Sequence, residues 1–70
     1  MRRDNQLIRQ VFHLVREMII LGDEGQAAAE DDGCGLLFGV LQDCAYKIRL
    51  AAERERTVHK RRGAWEEDGS

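Results

Sequence analysis

Apolar residues recur at alternating spacings of four and three through two stretches of this chain, and one acidic, glycine-rich break separates the stretches. The first series is Leu7, Val11, Leu14, Met18 and Leu21; the second is Leu37, Leu41, Cys44, Ile48 and Ala51. That rhythm belongs to an α-helix with one face turned to a partner. No proline interrupts either stretch, so nothing in the backbone chemistry forbids two long helices. Seventy residues suffice for one domain, since domains run from about 50 to 250 residues. The chain is therefore read as all-α and single-domain.

In the first stretch Asp4 is placed to act as an N-cap. A second row, Ile8, Phe12, Val15 and Ile19, runs beside the first, and at about 100° per residue the two rows span an apolar arc of roughly 180°. Gly22 and Gly25 each cost a helix about 1 kcal/mol relative to alanine. Their small size on the buried side suits the large Leu36, Leu37 and Phe38 that follow the break, so a continuous helix from about residue 4 to 31 is expected. The alternative is an interruption at Gly22 with a short separate helix after it.

Asp31, Asp32, Gly33, Cys34 and Gly35 form the strongest punctuation, with Gly33 suited to a left-handed residue after a helix. A second helix over about 35–61 completes an antiparallel hairpin around a turn at 32–35. Residues 1–62 form the helical domain in this reading. Residues 63–70 are left as a flexible acidic tail carrying Trp65, a large side chain suited to anchor a partner.

One hairpin has no means of covering two such wide arcs, and so short a chain has little core to spare. A homodimer forming a four-helix bundle is the economical answer. Its self-association core is expected at Leu7, Val11, Leu14, Met18, Leu37, Leu41, Cys44 and Ile48. Leu14 and Leu41 sit at the centres of their stripes, where packing within and between chains would converge. In length and architecture this resembles the Rop-type homodimers of helical hairpins; no motif is shared, and no residue is carried over from that family.

Charge selects the direction of the dimer. The formal net charge of −2 averages over segments of opposite sign. Residues 23–32 hold five acids and no base, whereas residues 47–62 hold seven bases against two acids. Lys47, Arg54 and Arg61 lie seven apart along one border of the second stripe, and Arg49 and Arg56 along the other, which are the positions that choose partners in coiled coils. Two hairpins with turns at opposite ends set each acidic turn against the other chain's basic termini, while turns side by side set like against like.

The residues that suggest chemistry have plain structural readings. Cys34 and Cys44 are ten apart and not in a CxxC spacing; Cys44 is expected to be a buried small hydrophobe and Cys34 an ordinary thiol in the turn. Glu55 and His59 extend the second apolar stripe one turn apart, but at i to i+4 rather than the Glu-x-x-His spacing of carboxylate-bridged metal centres, so Glu55 is expected to pair with a nearby arginine. No metal or cofactor is implied. The single serine, Ser70, and the single threonine, Thr57, stand near no base, and no glycine-rich phosphate loop is present, so no enzyme is indicated.

Arg2, Arg3, Lys60, Arg61 and Arg62 form a cluster able to contact a polyanion, which makes a small nucleic-acid-binding regulator the alternative to a protein-binding role. The apolar run Val11 to Leu21 is broken by His13, Arg16 and Glu17, so neither a membrane span nor a signal sequence is indicated, and a cytoplasmic location is expected. The expectation is a non-catalytic homodimeric bundle acting in interaction or assembly, whose first partner is its own second copy, with another protein as a further candidate.

Overall fold

The structure, a computed structural model, describes residues 3–65. It is all-α: helix α1 spans Arg3–Ala28 and helix α2 spans Asp32–Arg61. The two pack side by side as an antiparallel hairpin measuring 48 × 20 × 15 Å.

Helix α1 runs unbroken through Gly22 and Gly25, and both glycines are buried. The reason is on the facing helix. A Cβ at Gly25 would overlap the Phe38 ring, and a Cβ at Gly22 would overlap the Gln42 side chain. The Gln42 amide donates to the Ile19 carbonyl at 3.4 Å and to the Asp23 carboxylate, bridging the helices across the gap. Close approach thus offsets the helix-propensity cost of the two glycines.

The reversal is made by Ala29, Glu30 and Asp31, three residues earlier than the turn at 32–35 read from the sequence. Asp31 is the N-cap of α2: its backbone is extended (φ −138°, ψ 165°) and its carboxylate accepts the Cys34 N–H at 2.7 Å. Gly33 and Gly35 therefore lie inside the first helical turn, and the left-handed conformation expected at Gly33 is absent. The acidic side chain rather than the glycine makes the start signal of α2, because it satisfies an N–H that the helix itself leaves orphaned. Asp4 also differs from expectation. It stands in the first turn of α1 rather than before it.

Among the described residues the one glycine with positive φ is Gly63, at +70°. It follows the C-cap Arg62; Gly63 N–H donates to the Lys60 carbonyl at 3.0 Å and Ala64 N–H to the His59 carbonyl at 2.8 Å. This is a Schellman closure. It brings Ala64 and Trp65 back onto the hairpin, so the first part of the region assigned to a flexible tail is packed; residues 66–70 of that tail lie outside the described residues.

The seam between the helices is built mainly on the second apolar row of α1. Val15, Ala45 and Ala52 are its buried apolar residues, with Asn5 and His59 the buried polar ones. The first row stays largely in solvent: Leu7 is 43% exposed, Leu14 56% and Leu21 53%. Small residues decide this, since Gly22, Gly25, Ala45 and Ala52 form the line along which two backbones approach most closely. Cys44, expected to be buried, is exposed for the same reason, as its neighbour Ala45 takes the seam position.

Candidate functional site

Two features of the hairpin stand apart from its packing. The first is an open apolar face. A groove of about 250 Å³ between the helices is lined by Ile8 and Val11 of α1 and by Ile48, Ala51, Ala52 and Glu55 of α2. Both apolar series read from the sequence border it. Leu7, Leu14 and Leu21 recur on the same stripe of α1 as Val11, and Leu37, 61% exposed, on the same stripe of α2 as Ile48. Val11, Met18 and Leu41 are half-buried along the same stripes. The residues assigned to self-association are thus gathered on one side of the hairpin, and Cys44 shares that exposure.

The second feature is the end of the hairpin where the chain termini meet. Asn5 is fully buried there, its Nδ2 donating to the Ala64 carbonyl. That bond orients the amide, so Asn5 Oδ1 faces His59 Nδ1, and an acceptor at that position requires the ring nitrogen to carry the hydrogen. His59 Nε2 then faces Asp4 Oδ2 at 3.9 Å and Glu55 Oε2 at 4.0 Å. Trp65 packs edge-on against the His59 ring, with centroids 6.4 Å apart, and the Arg9 guanidinium lies 4.7 Å from the indole centroid.

This cluster closes the open end of the hairpin: the Asn5 amide is bonded on both sides, while the buried Trp65 indole N–H meets no hydrogen-bond partner among the described residues. Glu55 meets His59 rather than the arginine expected for it. Asp4, Glu55 and His59 do not combine into a metal centre, for among the described residues no group of three histidine, cysteine or carboxylate side chains is arranged to hold an ion. Trp65, singled out as a partner anchor, is half-buried against the cluster.

Of the basic residues assigned to polyanion contact, Arg3, Lys60, Arg61 and Arg62 are brought to this same end and are exposed; Arg2 lies outside the described residues. Cys34 is exposed near the turn. Asn5 carried no signal in the apolar rhythm, but Gly63 did: a basic last turn, Lys60 to Arg62, followed by glycine is a helix C-terminus pattern. No described helix is long and apolar enough to cross a membrane. Set against known protein families, curated proteins and solved structures, the chain matches none of them.

Proposed function

We propose that this chain is a non-catalytic interaction protein that works as a homodimer, two hairpins joining open face to open face into a four-helix bundle. The observation that carries the reading is the alignment of Leu7, Leu14, Leu21, Leu37 and Ile48, all exposed, in two stripes on one side of the hairpin. A contiguous apolar face of that kind marks an interaction surface in a soluble protein, and a second copy supplies a face of matching length. The hairpins are opposed in direction. The turn end of each carries Asp23, Glu24, Glu30, Asp31 and Asp32, and the other end carries Arg3, Arg54, Lys60, Arg61 and Arg62, all exposed; only the opposed arrangement sets acid against base. The setting is the cytoplasm, where two exposed free thiols remain reduced.

Light scattering at micromolar concentration tests this, with twice the 8.0 kDa chain mass as the expected result. Leu14→Glu with Leu37→Glu should return a folded species of single-chain mass. A well-folded wild-type monomer overturns the reading.

The gathering of Arg3, Lys60, Arg61 and Arg62 at one end favours a second reading, a small nucleic-acid-binding regulator. Its mark is affinity for duplex or single-stranded DNA that falls steeply between roughly 50 and 200 mM salt.

A further inference from the structure

Opposite the open face lies a second groove of about 330 Å³, lined by Phe12, Val15, Arg16, Ile19, Ile20 and Arg49. Val11 of the open face and Ile20 of this groove are nine residues apart, which at about 100° per residue points them in opposite directions around α1. The floor is apolar, with Ile20 46% exposed. The rim is cationic.

Aromatic rings hold two of the arginines at this groove. Arg56 stacks over Phe12 at 4.6 Å and Arg49 over Tyr46 at 5.4 Å, while Arg9 stacks over Trp65 at the end of the same side. Stacking over Phe12 positions the Arg56 guanidinium plane without using its N–H edges. Arg49 meets Glu53 at 3.3 Å in an exposed i,i+4 pair. Arg16 and Arg56 form no ion pair with any described residue. Cationic charge thus remains unneutralised beside the apolar floor.

Spacing identifies the occupant. Arg49 and Arg56 are seven apart on α2, so the cations along the groove repeat at about 10 Å along the hairpin axis. Carboxylates seven apart on a third helix lying in the groove repeat at the same interval. A ligand with a single anionic head uses only one of these levels.

We propose that this groove docks an acidic amphipathic helix of another protein, its apolar stripe on Phe12, Ile19 and Ile20 and its carboxylates on Arg16, Arg49 and Arg56. The mode is helix-in-groove recognition with electrostatic selection of the partner. It does not depend on self-association, which uses the other side.

The test is fluorescence anisotropy of a labelled two-heptad peptide repeating Glu-Leu-Leu-Gln-Gln-Leu-Ala, titrated with the full chain. Binding is expected, with loss of about tenfold or more in affinity for Arg16→Glu with Arg56→Glu, as charge reversal at an interface requires. Arg16→Glu alone, at an exposed position, should weaken binding in the same direction, and Arg16→Lys with Arg56→Lys should retain most of it. The lysine-for-glutamate peptide should not bind. Leu14→Glu on the open face should leave affinity unchanged. Undiminished binding by the charge-reversed variants, or loss with Leu14→Glu, overturns the proposal and places the peptide on the open face. No binding of the acidic peptide overturns it outright.

Discussion

Asn5 and His59 stand 54 positions apart in the chain and share one buried hydrogen bond, so Asn5 Oδ1 and His59 Nδ1 each depend on the other. Asn5→Ala removes that bond and the one to the Ala64 carbonyl, leaving buried groups without partners at a cost of about 1 to 3 kcal/mol; thermal unfolding should show it, and Trp65 fluorescence should shift as the indole loosens. The glycines divide sharply. Gly25→Ala drives a methyl into the Phe38 ring and should destabilise by about 1 to 3 kcal/mol despite alanine's better propensity. Gly35→Ala meets nothing within 4 Å and should stabilise by about 0.5 kcal/mol. Asp31 links the cap to pH. The Cys34 backbone N–H, its main partner, holds the carboxyl below the ordinary value of 3.8. A folded-state pKa lowered in this way contributes stability that is present above the ordinary value and is lost as pH falls through the lowered one. Asp31→Asn keeps a capping oxygen without a titration, so the difference in melting temperature between wild type and variant should shrink or reverse on acidification below 3.8. A difference independent of pH would remove the carboxylate from the cap.

The helices are closed at their ends by unlike devices. Helix α2 starts on a carboxylate and stops on a left-handed glycine, with His59, Lys60 and Arg61 in its last turn, where cations suit the helix dipole. That it is a helix, and roughly where it ends, is legible from periodicity and from the basic run before Gly63. The position of its start is not, because Asp31, Asp32, Gly33 and Gly35 all qualify as punctuation by residue type, and only backbone geometry selects Asp31. Helix α1 shows the converse. Its apolar rhythm was plain, yet its two rows compete for the seam, and the row containing Val15 wins within the hairpin while Leu14 remains outside. Val15, 2% exposed, should therefore cost about 2 kcal/mol on change to alanine, independently of protein concentration. Leu14→Ala should leave the hairpin's own packing nearly intact and weaken association, which reads out as a melting temperature that depends more strongly on concentration than in wild type.

The hairpin as a unit is a rod with acid at one tip, base at the other and an apolar side. An opposed dimer follows if tip charges govern its direction. Neutralising Glu30, Asp31 and Asp32 to their amides should then weaken association modestly in low salt and less at about 0.5 M, where screening shortens electrostatic reach well below 8 Å. Turns packed together predict the opposite sign, since removing mutual repulsion would strengthen the dimer. Spin labels on the exposed Cys34, with Cys44→Ala to leave one thiol, decide between them: opposed hairpins place the labels about 40 Å apart, the span of a helix of this length, and a separation under about 20 Å overturns the arrangement. Helix content, the hairpin and the polarity of the tips could all be argued from residue order, because each arises from preferences local in the chain, and the continuity of α1 from its small residues set across the turn from large ones. The choice of seam and the polar closure by Asn5, His59 and Trp65 could not. They depend on which small residues let two backbones approach and on partners more than fifty positions distant, and such matches exist only after the two helices have met.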